Sequence, residues 1–442
     1  MKSADLVDRA AAQLAPLLLP GSTILAGLSG GVDSVVLLHI LSRLAPRHAW
    51  RLSALHVHHG ISPNADQWAA FCAELCEGLA IPLSIERVDI APLRAHGIEA
   101  AARKLRHAAF ARQSCDFVAL AHHADDQAET LLLQLLRGAG VKGAAAMPLL
   151  SAATPRRVRP LLHCSRQQIL DYAAAHDLRW IEDESNADAS YPRNFLRHRL
   201  LPLLAERFPA YRDTLGRSAQ HFAEADGLLD ELAAQDAADG MQGGTLSLAA
   251  LQALSPPRAK NLLRYFLHRA AAPMPQAVQL DDMLRQLCGA RDDAAVCVAF
   301  GGAWQVRRYR GRVHLVSQPL AFDHRMTLPW RGEAELAWPA LHARVTFREG
   351  GEISLAKLQR QPVTLRFRQG GERLRPAPEA ATRTLKNLLQ EHHIPPWQRD
   401  RLPLLFCGEE LVCVPGVAVA ADYRAAAGEA GIRCTLEAGH IA

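Results

Sequence analysis

Thr23-Ile24-Leu25-Ala26-Gly27-Leu28-Ser29-Gly30-Gly31-Val32-Asp33-Ser34 decides the fold. Thr23 to Leu28 is a short apolar run that ends at turn residues, the pattern of a buried strand. The adjacent glycines Gly30 and Gly31 let the backbone turn tightly and approach an anion. Val35 to Leu44 reads as the following helix. Amide N–H groups of the loop and of the helix N-terminus then converge on one spot. Ser29 and Ser34 add hydroxyl donors. Asp33 would repel a phosphate unless a cation stands between them, which implies Mg2+. The Gly-Lys-Ser/Thr ending of a Walker A loop is missing. The loop therefore suits holding pyrophosphate as a leaving group better than γ-phosphate transfer.

Outward from this stretch, strands and helices alternate. Leu52 to Val57, Leu83 to Val88 and Phe117 to Leu120 read as strands. Asp66 to Leu79, Ile98 to Arg112 and Ala124 to Leu136 read as helices between and after them. Such alternation implies a parallel sheet covered on both faces. Val158 to Leu162 reads as a further strand, and Ser165 caps a helix to His176. From Tyr191 the pattern changes. Arg193 to Phe208, Tyr211 to Ala234, Leu248 to Ala272 and Ala277 to Leu287 are amphipathic and helical, with a loop at Gln242-Gly243-Gly244. Strands are expected within Val296 to Val316. The Pro-, Trp- and Gly-rich stretch Ala321 to Leu341 connects or forms short strands. Val363 to Cys434 mixes strands with one helix near Leu385 to Glu391.

Three further constellations carry chemistry. His122-His123-Ala124-Asp125-Asp126-Gln127-Ala128-Glu129 begins at the end of the fourth strand, on the sheet edge where ligands bind. Asp126 and Glu129 stand three apart and share a helix face. Two carboxylates there suit a cation, either Mg2+ or an ammonium group, or else a capped helix with surface acids. Arg103 and Arg106, in Glu99-Ala100-Ala101-Ala102-Arg103-Lys104-Leu105-Arg106, share a face that suits phosphates or plain solvent. Asp183-Glu184-Ser185-Asn186 is a turn leading to Tyr191-Pro192-Arg193-Asn194-Phe195-Leu196-Arg197. There Arg193, Arg197 and Arg199 suit a nucleic-acid backbone.

Composition bounds these readings. The chain has 442 residues, 49% hydrophobic and 21% charged, which suits two to four domains at about 100–200 residues each. No stretch of roughly 20 apolar residues appears, so no membrane span is expected. Asp5, Asp8 and Arg9 interrupt the N-terminus where a secretory signal would be apolar. Net charge is +5, weak evidence for nucleic acid. Nearly all of the positive charge is arginine, which suits bidentate phosphate contacts but also follows from codon bias. The nine cysteines form no CxxC pair and read as small buried residues of a reducing cytosol rather than zinc ligands.

Ser29 to Ser34 resembles the PP-loop of the ATP-pyrophosphatase superfamily, whose members cleave ATP to AMP and pyrophosphate. With the four motifs in order, the chain resembles the bacterial tRNA(Ile)-lysidine synthase family. The resemblance is strongest over Ile24 to Pro202 and Arg366 to Val417. In the latter, Gly370-Gly371-Glu372-Arg373-Leu374-Arg375-Pro376, Leu385 to Glu391 and Ile394-Pro395-Pro396-Trp397 are similar to the family's C-terminal domain.

The resemblance implies an α/β fold with an N-terminal parallel-sheet PP-loop domain of the adenine nucleotide alpha hydrolase-like type. A mostly helical middle domain and a small α+β C-terminal domain follow. The divisions are 1–215 catalytic, 216–320 middle, 321–360 connecting and 361–442 of tRNA-binding type. It implies that ATP adenylates the carbon 2 oxygen of the wobble cytidine in an isoleucine tRNA with a CAU anticodon. The ε-amine of free L-lysine then displaces AMP, leaving lysidine. Ser29, Gly30, Gly31, Val32, Asp33 and Ser34 would hold ATP, with Asp33 on Mg2+. Asp126 and Glu129 would serve the lysine, and Arg103 the ATP or the activated intermediate. Arg193, Asn194 and Arg197 would serve the tRNA or the site entrance. A cytoplasmic location and a homodimer are compatible with the same resemblance.

Two departures stand out. The family commonly reads Arg-x-x-Arg-Tyr where this chain has Arg103-Lys104-Leu105-Arg106-His107, which leaves the role of position 107 open. Ala146-Met147 replaces a usual Gly-Met pair. The rivals are another PP-loop tRNA modifier, such as a 2-thiolation enzyme, and a non-catalytic RNA-binding protein on the same fold. The first usually needs paired reactive cysteines, and the second would not need Asp33, Asp126 and Glu129 intact.

Overall fold

A first helix, α1 (Ala4–Leu14), precedes the strand anticipated at Thr23, β1 (Thr23–Gly27). These coordinates come from a computed structural model that describes residues 4–92, 98–182, 188, 190–291, 294–317, 322–341 and 343–438. The chain continues through α2 (Val32–His48), β2 (Arg51–His58), α3 (Ala65–Gly78), β3 (Leu83–Arg87), α4 (Ile98–Ala111), β4 (Phe117–Ala119) and α5 (Ala124–Leu136). It goes on through α6 (Val141–Ala144), β5 (Leu150–Ser151), β6 (Arg156–Val158), α7 (Arg166–Ala175), α8 (Pro192–Phe195), α9 (Leu201–Arg207) and α10 (Tyr211–Ala237). The alternation expected from the sequence is present, with ends shifted by a few residues. Ser165 caps α7, its Oγ accepting from Gln168 N at 3.2 Å.

The six strands run in the order β3-β2-β1-β4-β6-β5. All pair in parallel except β5, which closes the edge antiparallel to β6. Side chains alternate across the central strand as the pleat requires. Ile24 and Ala26 face the core built with α1, α2, α3 and α7, while Leu25 meets Ala109 and Phe110 of α4. The crevice between β1 and β4 is the point where successive connections leave in opposite directions, and ligands bind at such points. The strand expected over Val158 to Leu162 instead covers Arg156–Val158. Pro160 has no N–H for a ladder, and the chain turns there, Leu162 N donating to Arg159 O at 3.1 Å.

The helix expected over Arg193 to Phe208 is interrupted by a π-helical turn, Leu196–Leu200, where the Leu201 N–H reaches back to Leu196 O. Pro202 accounts for the widening. It cannot donate to His198, and its ring crowds that carbonyl. The acidic turn Asp183 to Asn186 lies outside the described residues.

Two units divide the chain, Met1–Glu231 and Leu232–Ala442. In the second, β7 (Met241–Gln242) and β8 (Thr245–Ser247) form a hairpin that the sequence reading took only as a loop. Gly243 and Gly244 turn it, with φ of 54° and 71°, the backbone a two-residue hairpin turn demands. Next come α11 (Leu248–Ala253), α12 (Pro256–Arg269) and α13 (Ala277–Gly289), then β9 (Cys297–Phe300), β10 (Trp304–Tyr309) and β11 (Arg312–Ser317). The single helix expected from Leu248 to Ala272 is split ahead of Pro256 and Pro257, where proline suits only a helix start. The five strands pair antiparallel in the order β7-β8-β11-β10-β9. The rest is antiparallel sheet around a core that includes fully buried Trp338 and Phe367. It carries the helix anticipated at Leu385–Glu391, capped by Thr384.

Candidate functional site

The Ser29–Ser34 loop joins β1 to α2, and Gly30 takes a φ of +90°. A Cβ at Gly30 would lie 2.6 Å from Ile181 Cδ1, so only glycine fits the turn and the contact. Ser34 is buried, and its Oγ donates to Gly31 O at 2.9 Å while Ser29 N and Gly30 N each approach it at 3.2 Å. Its proton is therefore spent inside the loop. Ser34 shapes the turn, and the Ser29 hydroxyl donates to Ser34 Oγ at 3.1 Å, so it must turn from that partner to reach a ligand. No side chain caps α2, so the first-turn amides, which lack intrahelical acceptors, suit an anion.

Asp33 stands in that first turn. Its Oδ1 is buried without a hydrogen-bond donor and lies 3.7 Å from His123 Nε2. An unsatisfied carboxylate oxygen beside a loop suited to an anion fits a hard cation. Among the described residues no cluster of three or more ligands forms a protein-only metal cage. Mg2+ typically takes one or two carboxylates and completes its shell with phosphate and water.

Two histidines and a carboxylate frame complete this edge. His56, on β2, is buried, and its Nδ1 lies 2.9 Å from Leu28 O. A carbonyl only accepts, so Nδ1 donates. Burial holds His56 below the usual histidine range and keeps it neutral. His123 caps α5, with Asp126 Oδ2 returning a bond to its N–H at 3.1 Å. Burial opposes its charged form, but Asp33, Asp126 and Asp125 outweigh that and raise its pKa. Asp125 accepts from Arg166 N at 2.8 Å and pairs with Arg212 of α10.

Asp126 and Glu129 meet Arg193 and Arg197. Arg193 sends Nη2 to Asp126 Oδ1 at 2.8 Å and Nε to Glu129 Oε2 at 2.6 Å. Arg197 sends Nε to Glu129 Oε1 at 2.6 Å and Nη2 to Asp126 Oδ1 at 3.1 Å. Glu129 is 0% exposed, so its charge is tolerable only because it is paired and hydrogen-bonded. Burial pushes the Asp126 carboxyl up, yet His123 and the two arginines overcome it and hold the group ionised. The same carboxylates hold both guanidinium pKa values up against burial.

Two pairs anticipated separately thus come together: Asp126 with Glu129, and Arg193 with Arg197. Asn194 instead bonds the Asp188 carbonyl at 2.9 Å. Arg103 is exposed on α4, in a neighbouring basic group with His107, Arg157 and Arg159. Sequence reasoning gave no role to His56, His122, His123 or Arg212. The His122-His123 pair beside Asp125 and Asp126 was a usable signal. His56 and Arg212 offered none, because their partners are distant in sequence. In the second unit, a cleft of about 770 Å³ is lined by Arg366, Gly370, Gly371, Glu372, Arg373 and Arg375 among others.

The chain matches a PP-loop domain over residues 5–204, a TilS substrate binding domain over 246–314 and a TilS substrate C-terminal domain over 363–436. A tRNA(Ile)-lysidine synthase from Nitrosomonas europaea is 44% identical, covering 93% of this chain and 91% of that one. Another from Aromatoleum aromaticum is 43% identical, covering 95% and 98%. Among solved structures, a U34-tRNA thiolase from Methanococcus maripaludis superposes on 50% of this chain and 79% of its own, at 19% identity and a TM-score of 0.44. A likeness that low carries no argument.

Proposed function

This chain belongs to the tRNA(Ile)-lysidine synthase family, and from that membership we propose how its residues divide the work. The enzyme is an ATP-dependent ligase that joins L-lysine to the wobble cytidine of an isoleucine tRNA, releasing AMP and pyrophosphate. The observation that carries the assignment of roles is that His123 Nε2 lies 3.7 Å from Asp33, at the uncapped N-terminus of α2, and 3.4 Å from Asp126, which shares its arginines with buried Glu129.

The first-turn amides of α2 and the Ser29 hydroxyl hold the triphosphate. Asp33 is the protein's ligand to Mg2+, which when bound offsets charge on the leaving pyrophosphate. Adenylation makes the carbon 2 oxygen of the base a good leaving group. Asp126 and Glu129 then anchor the lysine substrate through an ammonium group. Asp126 is held ionised, which suits gripping a cation and not taking a proton from the attacking amine. Arg193 and Arg197 neutralise these carboxylates until the substrate arrives, and a tRNA phosphate then draws them off. Arg103 faces the nucleotide or the adenylated base, and Asn194 steadies the loop at the site entrance.

The recognised tRNA carries the CAU anticodon, and the arginines of the cleft at Arg366, Arg373 and Arg375 meet its backbone. The four-part division at 215, 320 and 360, a cytoplasmic location and a homodimer belong to the same reading. No helix among the described residues is long and apolar enough to cross a membrane.

The decisive measurement is AMP release from ATP with isoleucine tRNA, with and without free lysine. Release that needs both, and that disappears in Asp33→Ala, supports this division. Release indifferent to lysine would remove Asp126 and Glu129 from the amine site.

A further inference from the structure

Beside Arg103, already given to the nucleotide or the adenylated base, the carboxyl end of β6 adds two cations that the chemistry above does not use, Arg157 and Arg159. Register sets Arg157 beside Val118, whose side chain lies on the α4 face of the sheet. Arg157 Nη1 lies 3.1 Å from His107 Nδ1. A guanidinium only donates, so Nδ1 accepts and the ring proton sits on Nε2. Burial, and then Arg157, Arg103, Arg106 and Arg159, push the His107 pKa down to about 4. The ring is neutral and available as an acceptor. At position 107 this chain departs from the family's common tyrosine, and the structure gives the histidine a defined task, which is to fix the Arg157 guanidinium.

Arg159 follows the end of the strand. It is 7% exposed, and its Nη1 donates to Pro148 O at 2.6 Å. Burial, with Arg157 and Arg103 nearby, lowers its pKa to about 10. The Nε atoms of both Arg157 and Arg159 are buried without an acceptor. Among the described residues neither arginine pairs with a carboxylate. Contrast Arg193 and Arg197 on the same edge, where two carboxylates compensate two guanidiniums. His122, which feels both Arg159 and Arg193, links the two groups. Like charges held together in a half-buried place, with N–H groups unsatisfied, are costly unless an anion supplies both charge and acceptors.

We propose that Arg103, Arg157 and Arg159, with His107 positioning Arg157, form a second phosphate-binding subsite beside the catalytic cleft, separate from the Ser29–Ser34 loop. Phosphate oxygens match a guanidinium fork bidentately. The phosphate comes from the tRNA backbone or from the nucleotide, so the inference rests on tRNA and ATP being the substrates.

The test uses the full-length enzyme. Binding of an isoleucine tRNA transcript is measured at about 50 and about 200 mM salt, and the KM for ATP by lysine-dependent AMP release. The variants are Arg157→Gln, Arg103→Gln, His107→Leu and His107→Gln. If the ligand is the tRNA backbone, Arg157→Gln and Arg103→Gln each raise the tRNA Kd about fivefold or more. Each also flattens the slope of log Kd against log salt by about 0.7–0.9. If the ligand is the nucleotide, the KM for ATP rises by a similar factor and the salt slope stays. His107→Leu follows Arg157→Gln, whereas His107→Gln, whose amide oxygen still accepts, restores wild-type values. Unchanged Kd, salt slope and KM in a folded Arg157→Gln enzyme would overturn the subsite. If Arg157→Gln folds poorly, the contrast between His107→Leu and His107→Gln decides the matter, because His107 acts only through Arg157. Wild-type AMP release that needs tRNA and lysine is a separate readout, so the enzyme's assignment and this subsite fail independently.

Discussion

Glu129, fully buried on α5, grips Arg197 with both oxygens, Nε on Oε1 at 2.6 Å and Nη2 on Oε2 at 3.0 Å. This two-pronged bond fixes a guanidinium against a carboxylate that water cannot reach. Removing the Glu129 charge leaves two half-buried guanidiniums on Asp126 alone, and an uncompensated charge of this kind costs up to about 3–5 kcal/mol. Glu129→Gln should therefore lose stability of that order in denaturant unfolding and raise the KM for lysine at least about tenfold. A loss below about 1 kcal/mol, the range of surface pairs, would mean that the two arginines find other partners at no cost.

Asp33→Asn keeps the shape of the loop and removes the charge. AMP release should fall at least about 100-fold, the scale of losing one electrostatic stabiliser, while tRNA affinity stays within about twofold. Turnover near wild type in the presence of Mg2+ would contradict the role given to Asp33.

His56 acts through Leu28, whose carbonyl it fixes at 2.9 Å. His56→Leu leaves that carbonyl buried without its donor, a loss of about 1 kcal/mol or more, and the KM for ATP should rise about fivefold. The amide nitrogen of His56→Asn occupies nearly the same place as Nδ1 and should recover most of the loss. Equal defects in the two variants would show that ring volume matters and the bond does not.

His122 is half-buried with its Nδ1 shut off from water, and desolvation above all, offset by Asp126 and reinforced by Arg159, Arg193 and Arg106, lowers its pKa to about 3. The unfolded histidine titrates near 6.5. Between those values the unfolded state binds the extra proton, so this contribution is full above about pH 6.5. It is lost as the pH falls toward 3, by about 1.4 kcal/mol per pH unit. Replacing His122 by Asn should reduce the slope of unfolding free energy against pH by that amount between about pH 4 and 6. An unchanged slope would show that His122 already charges in the folded protein.

Ala146 occupies a left-handed conformation, with φ of +53°, at the place where the family commonly has glycine. A residue with a Cβ pays about 1–2 kcal/mol there. Ala146→Gly should raise the melting temperature, since relief of that strain exceeds the entropy added to the unfolded chain. A lower melting temperature would mean that the Ala146 methyl packs well enough to offset the strain.

The alternation around the sheet was legible because short buried strands and amphipathic helices carry their periodicity locally. The loop at Gly30 was legible from its paired glycines, although the side chain that crowds any Cβ there, Ile181, is distant in sequence. What the sequence could not disclose were partnerships across distance. Arg193 reaches Glu129 from 64 residues away, and nothing in either local pattern says that arginines read as facing a nucleic acid meet acids read as facing a cation. The π-helical turn at Leu196–Leu200 was hidden too, since Pro202 is compatible with a fresh helix start as well as with a widened turn. The β7–β8 hairpin escaped because its strands are two and three residues long, too short for an alternation to register.

The arginine–carboxylate group also imposes an order on biosynthesis. The ribosome completes α5, with Asp126 and Glu129 on it, well before it makes Arg193 and Arg197. Until the later helix emerges, Glu129 lacks its arginines and Asp126 has only His123 beside it, so hydration of these acids opposes the settling of α5 against the sheet. The nascent catalytic unit thus remains open at its reactive edge while most of its parallel strands are already available to pair. It closes only when α8 and the turn after it have left the exit tunnel.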